Sequence, residues 1–154
     1  MEEKEIKFSL KNMRELEFWY SNPFYSTNDV KPDSYVYEYG LQVNYRWNVE
    51  KELFGIVLDF FYKGKNDEEE RELLKFTTLT EFKVENLNKI FTPRGKNDFD
   101  IEEKWEISFV SIAISTGRGM LIARSAGTFL QPHIFPLVDS SKVILSKKIS
   151  KSNK

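Results

Sequence analysis

Alternation of apolar and polar residues over positions 35–48 is the feature that most limits how this chain folds. Successive residues of a β-strand point to opposite faces, so the pattern predicts one long strand with an aromatic face and a polar face. A helix would scatter the same aromatic residues around its circumference. The residues of the aromatic face are Tyr35, Tyr37, Tyr39, Leu41, Val43, Tyr45 and Trp47.

An aromatic strand face allows two interpretations. It is typical of the sheets on which RNA-recognition domains stack bases, but those sheets work beside basic residues. This chain has 23 Lys and Arg against 24 Asp and Glu, so it lacks the basic stripe of a nucleic-acid-binding protein. We therefore predict that the aromatic face is buried and that the protein does not bind nucleic acid.

Three further segments are predicted to be strands. Residues 6–20 alternate apart from an irregularity near Asn12, which indicates a strand with a bulge. Residues 53–62 are almost continuously apolar, so we expect helices on one face of that strand and another subunit on the other. After a turn at residues 63–67, residues 73–84 are predicted to form the returning strand.

The spacing of apolar residues becomes helical after residue 100. Trp105, Phe109 and Ile112 recur at intervals of three or four, which predicts a long helix. Asp98 or Asp100 is predicted as its N-cap, because a carboxylate there accepts hydrogen bonds from free backbone N–H groups.

Two glycines lie inside this predicted helix. Gly117 and Gly119 each cost a helix about 1 kcal/mol relative to alanine, so they require a reason. One reason is close packing against another helix, and the alternative is a kink or a break into two shorter helices. Farther along, residues 139–141 could cap a short last helix around residues 142–149, although Val143 and Ile144 would also suit a strand.

Length and composition indicate one domain. The chain has 154 residues, 40% of them hydrophobic, and we assign residues 1–146 to the domain and residues 147–154 to a basic, flexible tail. With no cysteine, it has no disulfide or thiolate metal site. Its first residues lack the apolar core of a signal peptide, and no apolar run reaches the ~18 residues that span a bilayer. We expect a cytoplasmic protein without membrane insertion.

Few residues suggest catalytic chemistry. His133 has no second histidine to share a metal, and Asp59 is a single charge in an apolar segment, expected on the wet face or beside a basic partner. The triplet at residues 117–119 lacks the glycine spacing and the lysine of a phosphate-binding loop. We expect no enzymatic activity, no metal and no cofactor.

The segment between the two predicted helices carries a more specific likeness. Gly127, Thr128, Phe129, Gln131 and Pro136 occur in the order and at the spacing found between the two helices of SecB, the bacterial export chaperone. Residues 75–84 also resemble the last strand of that family. The chain thus resembles a divergent member of the SecB-like family.

This resemblance implies an α+β fold, with a four-stranded antiparallel sheet and, on one face, a long helix and a shorter C-terminal helix. It also implies a homotetramer, built as a dimer of dimers, that holds unfolded preproteins for export, with the SecA motor as a candidate partner. A second role known among SecB-like proteins is the chaperone that stabilises the antitoxin of a toxin–antitoxin system.

Two sets of site residues follow from these interpretations. Apolar residues in loop-like sequence are the predicted client contacts, namely Phe24, Tyr25, Phe129, Leu130, Ile134 and Phe135. One stretch of the long helix is the predicted subunit interface, through Trp105, Phe109, Ile112, Gly117 and Gly119.

A different class of function stays open at this point. A long helix over a curved antiparallel sheet also encloses ligand cavities, as in helix-grip domains. That alternative predicts a monomer with an enclosed pocket and a small molecule that stabilises it.

Overall fold

The computed structural model describes residues 5–22, 34–95 and 98–152, with only the backbone for residues 147–152. Four long strands precede two helices, which confirms the predicted α+β class. The strands are β1 (Phe8–Tyr20), β2 (Val36–Asn48), β3 (Leu53–Lys65), β4 (Glu70–Val84) and the short β5 (Phe91–Pro93) and β6 (Phe99–Ile101). The helices are α1 (Glu103–Ser125) and α2 (Ser140–Ser152), and a 3₁₀ turn spans Leu87–Lys89.

The four long strands form one antiparallel sheet in the order β1-β4-β3-β2. Strands β1 and β2 are therefore its two edges. The register of β1 against β4 shifts between Leu10 and Asn12 and again between Glu15 and Glu17. The first shift confirms the irregularity predicted near Asn12.

Helix α1 covers one face of the sheet. Phe109 of α1 packs against Phe54 of β3 and Phe82 of β4, with ring centroids 5.5 Å and 4.8 Å apart. On the opposite face, the Leu79 side chain lies beside Gly55 and Val57, so β3 is buried there by its own neighbours in the sheet. The prediction that another subunit covers this face stays a prediction.

The aromatic face of β2 points toward the helices. It was predicted to be buried but is only half-buried, because β2 is an edge strand. Tyr45 packs against Phe54, and Trp47 packs against Phe91 and Phe99. These ring contacts lie within the chain, which supports the interpretation of β2 as a core strand.

The start of α1 differs from the prediction. Neither Asp98 nor Asp100 caps the helix, since residues Phe99–Ile101 are extended and pair with β5. Phe91 and Phe99 stack at 4.1 Å, and this packing holds the segment in a strand conformation. The helix begins at Glu103, with Glu102 in the N-cap position and no capping hydrogen bond from a side chain.

Helix α1 runs unbroken through both glycines to Ser125, so the alternative of a break into two shorter helices is wrong. A Cβ atom added to Gly117 would lie 2.8 Å from Cε2 of Phe60, whereas one added to Gly119 would contact nothing within 4 Å. Gly117 therefore allows α1 to approach the sheet closely, and Gly119 lies on the outer side of the helix.

The apolar composition of α1 raises the question of whether this helix could cross a membrane. Among the described residues, it is the one helix long and apolar enough to cross a membrane by length and composition. Its inner face packs on the sheet, as the core helix of a globular domain does. The absence of membrane insertion stays a prediction.

Candidate functional site

The candidate site is built on residues 126–139, the segment that joins α1 to α2, which we call the crossover. Gly127, with φ +79°, adopts the left-handed conformation that ends α1 and turns the chain. Three consecutive turns follow, closed by backbone hydrogen bonds from Thr128, Gln131 and His133. Asp139 then begins α2, because its Oδ1 accepts a 3.0 Å hydrogen bond from the Ser141 N–H, as predicted.

Phe135 anchors the crossover to the sheet. Its ring is 2% exposed and contacts Tyr39, Phe60 and Tyr62, at centroid distances of 5.8 Å, 5.0 Å and 6.0 Å. Burial raises the pKa of the Tyr62 hydroxyl, which stays protonated at neutral pH. Nε of Arg118 donates a 2.7 Å hydrogen bond to the carbonyl oxygen of Phe135, which fixes the crossover to α1.

The remaining predicted client contacts divide into three groups. Leu130 is buried like Phe135, and Phe129 packs against Tyr20 at 5.7 Å, so these side chains contact the chain itself. Ile134 is 53% exposed and offers apolar surface. Phe24 and Tyr25 lie outside the described residues.

Leu137 is a surface residue that the predicted contact set missed. It is 86% exposed, the highest value among the large apolar side chains described. The signal was present in the sequence, since Leu137 belongs to the same apolar run, residues 134–137, that supplied Ile134 and Phe135. Leu145 of α2 is also more than half exposed.

Leu137 borders a cleft of about 150 Å³ between α1 and the crossover, which we call the crossover cleft. Its lining combines apolar side chains, hydroxyls and one guanidinium, from Ser111, Ile114, Ser115, Arg118, Leu137 and Val138. The hydroxyls of Ser111 and Ser140 lie 2.6 Å apart and connect α1 to α2 beside this cleft. This lining presents apolar surface together with groups that form hydrogen bonds.

The predicted interface residues of α1 fall into two groups, buried and partly exposed. Phe109 and Gly117 are buried against the sheet of the same chain, which covers the surface that a second subunit would contact. Trp105 and Ile112 are half-buried and Gly119 is exposed, and the interface role of these three stays a prediction.

Exposed apolar side chains also lie along the edge strand β1, on both faces of the sheet. Phe8, Leu10, Met13, Leu16 and Trp19 are 38–47% exposed. Edge strands with exposed apolar side chains pair readily with another strand. The sequence predicted the strand, but only the strand order reveals that it is an edge.

His133 and Asp59, the two residues considered for catalysis, form contacts within the protein. His133 stacks on Tyr37, with ring centroids 3.8 Å apart. Asp59 accepts a 2.6 Å hydrogen bond from Oγ1 of Thr77. It lies on the polar face of the sheet, which was one of the two positions predicted for it. Among the described residues, no three His, Cys, Asp or Glu side chains are placed to hold a metal ion.

A four-stranded antiparallel sheet covered by one long and one short helix defines a SecB-like α+β fold. The chain is similar to the Mycobacterium tuberculosis Rv1957 SecB-like chaperone, whose structure is solved in complex with a ChAD peptide from the Rv1956 HigA1 antitoxin. The TM-score is 0.55 and the identity 12%, over 85% of this chain and 90% of that one. No family model and no curated protein matches the sequence.

Proposed function

We propose that this protein is a SecB-like chaperone that holds unfolded segments of client proteins on the apolar surface of its crossover. The observation that carries the proposal is Leu137, an 86% exposed leucine at the border of the crossover cleft. Large apolar side chains exposed beside a cleft are typical of surfaces that bind other polypeptides.

Holding a client requires no reaction chemistry. Burial of one leucine-sized side chain contributes about 1.5–3 kcal/mol, which is too little for a stable complex on its own. Several such contacts along an extended segment sum to useful affinity when they are linked in one chain. We accordingly propose that Ile134 and Leu137 are two such contacts and that the protein is not an enzyme.

A homotetramer, arranged as a dimer of dimers, is part of this proposal. The exposed apolar residues of β1 support pairing between two copies at that edge. The outer side of α1, with Ile112, Gly119 and the half-exposed Ile122, supports a second contact between dimers. Assembly would multiply the number of crossover surfaces available to one long client.

The client class has two candidates, unfolded preproteins for export and an antitoxin. The antitoxin is favoured by the structural neighbour, which is bound to an antitoxin peptide. Export, with SecA as partner in the cytoplasm, rests on the sequence resemblance alone. Where an antitoxin gene lies beside this one, calorimetry with a peptide from that antitoxin tests this role, since tight binding supports it and no binding contradicts it.

The helix-grip alternative requires an enclosed cavity between the helix and the sheet. At Gly117, α1 instead lies directly on Phe60 and Thr78, and the space beneath it contains the rings of Phe54 and Phe109. This close packing counts against a ligand cavity at that position.

The test of the proposal is size-exclusion chromatography with light scattering, with and without a chemically unfolded client. We expect a tetramer that shifts into a soluble complex with the client. A stable monomer that leaves the client to aggregate would overturn both the assembly and the function.

A further inference from the structure

Arg118 places a positive charge in the crossover cleft. Its side chain is half-buried and lines the cleft together with Leu137 and Val138 of the crossover. Nε donates its hydrogen bond to the carbonyl oxygen of Phe135, which orients the guanidinium. The two terminal nitrogens carry four further N–H donors, and these remain for another partner.

This guanidinium has no carboxylate partner in the part of the chain that the structure describes. None of the salt bridges among those residues includes Arg118. The sequence supplies the reason, because residues 107–138, which form most of α1 and nearly all of the crossover, contain no Asp or Glu. Arg124, the other arginine of that stretch, pairs with Glu15 of β1.

Asp139, the first carboxylate that follows in the chain, is engaged elsewhere. Its Oδ1 accepts hydrogen bonds from the N–H and the hydroxyl of Ser141, at 3.0 Å and 2.6 Å. These two bonds, and more weakly the charge of Lys142, hold the pKa of Asp139 below its usual value. Asp139 therefore caps α2 and leaves the charge of Arg118 unmatched.

The sheet beneath the crossover supplies no charge either. The side chains that pack around Phe135 are Tyr39, Phe60 and Tyr62. Burial raises the pKa of both tyrosines, so they are neutral at pH 7. The crossover cleft thus carries a net positive charge within an apolar surrounding.

The rest of the lining places apolar surface and a hydroxyl next to this charge. Ile114, Leu137 and Val138 provide the apolar part. Ser115 lies one helical turn before Arg118 and adds an exposed hydroxyl. A ligand that matches the whole cleft combines an anion with an adjacent apolar group.

We propose that the crossover cleft binds the carboxylate of a glutamate or aspartate side chain in a client segment, while a neighbouring apolar residue of that segment covers Leu137. A guanidinium held through Nε presents its terminal N–H groups in a plane, which matches the two oxygens of a carboxylate. Charge complementarity then selects acidic, apolar segments among the many that apolar surface alone would bind. This inference rests on the proposed client binding and adds a preference to it.

The test is an NMR titration of the full ¹⁵N-labelled chain with two peptides that differ in one residue. Their sequences are Ser-Leu-Glu-Leu-Ser and Ser-Leu-Gln-Leu-Ser, both acetylated and amidated so that the termini carry no charge. We expect saturable shifts of the Leu137 and Val138 amide signals, with affinity about tenfold higher for the glutamate peptide. The glutamine peptide with a free C-terminal carboxylate should bind no better than its amide.

The matched variants are Arg118→Met and Arg124→Met. Because Arg118→Met also loosens the crossover, the quantity compared is the ratio of the two peptide affinities within each protein. This ratio should fall from about ten to about one in Arg118→Met. It should stay at the wild-type value in Arg124→Met, which removes the same charge from the same helix outside the cleft.

Ser115→Glu provides a variant that retains the hydrogen bond from Arg118 to the crossover. Position 115 is exposed, and a glutamate there lies three residues from Arg118 on the same helix face. Its carboxylate should occupy the guanidinium and remove the preference for the glutamate peptide. Circular dichroism checks that the variant is folded.

Equal affinity of the two peptides for the wild type would overturn the preference and leave client holding intact. A preference that survives in Arg118→Met or in Ser115→Glu would overturn it as well. Shifts from neither peptide would also refute it, and suppression of client aggregation by the same protein then decides whether client holding fails too.

Discussion

Gly117 of α1 lies directly over the ring of Phe60 in β3, with no room for a Cβ atom between them. Gly117→Ala would place a methyl group 2.8 Å from Cε2 of Phe60 and 3.2 Å from Oγ1 of Thr78. We expect a loss of about 1–3 kcal/mol in the free energy of unfolding, as for other overpacked cores.

The matched control for this prediction is Gly119→Ala on the same helix. Within its own chain a Cβ atom there meets nothing within 4 Å, so in the dissociated subunit only helix propensity changes. We expect a gain of about 1 kcal/mol. Urea unfolding measures both variants, and effects of the same sign would contradict this description of α1.

Arg118 is expected to hold the crossover in place. Arg118→Met keeps most of the side chain but removes the hydrogen bond to the Phe135 carbonyl, at a cost of about 1–2 kcal/mol. Hydrogen exchange should accelerate over residues 126–139. Arg124→Met, which removes an exposed ion pair with Glu15 and a cation–π contact with Phe18 but no hydrogen bond to the crossover, should leave exchange there unchanged. Equal protection of the crossover in both variants would refute this role.

The hydroxyl of Tyr45 donates a 2.6 Å hydrogen bond to Oε1 of Glu106, a carboxylate that is only 5% exposed. Tyr45→Phe removes this donor from a buried charged group, so we expect a loss of about 1–3 kcal/mol at pH 7. Urea unfolding at pH 7 provides the measurement.

The same pair predicts a dependence on alkaline pH. Burial, and then the bond to Glu106, raise the pKa of Tyr45 above its usual value of 10.0. Because the folded state retains this proton more tightly, the stabilisation is complete below pH 10 and is lost as the pH rises further. The stability difference between wild type and Tyr45→Phe should therefore shrink above pH 10. A constant difference from pH 7 to 11 would be inconsistent with it.

The exposed edge of β1 is expected to determine assembly. Leu10→Lys with Met13→Lys adds charge to that edge and should yield a smaller particle in light scattering. Val36→Lys changes an equally apolar side chain on the opposite edge strand and should leave the particle mass unchanged. An unaltered mass for the double variant would exclude β1 as the contact.

The long strands could be predicted from sequence because a period of two is a local property. Both the alternation around Tyr39 and Tyr45 and the interruption near Asn12 are visible in the sequence. The start of α1 could not be predicted in this way. Phe99 stacks on Phe91, which lies eight residues earlier, and that tertiary contact outweighs the capping preference of Asp98 or Asp100.

The candidate site was predicted less completely than the fold. The sequence placed Phe135 and Ile134 in one apolar loop, but only the packed structure shows that the first is buried and the second is exposed. Burial of a loop residue depends on which sheet residues lie opposite it, here Tyr39 and Tyr62. Subunit contacts follow the same rule, because they depend on which strand forms the edge.

Client holding at the crossover is tested most directly by comparing two single substitutions of exposed apolar residues in an aggregation assay. Leu137→Glu changes the border of the crossover cleft, and Val36→Glu changes a 70% exposed valine on β2, away from that cleft. Light scattering then follows a chemically unfolded client diluted into each protein. We expect wild type and Val36→Glu to suppress aggregation and Leu137→Glu largely to fail. Equal suppression by a folded Leu137→Glu variant would contradict it.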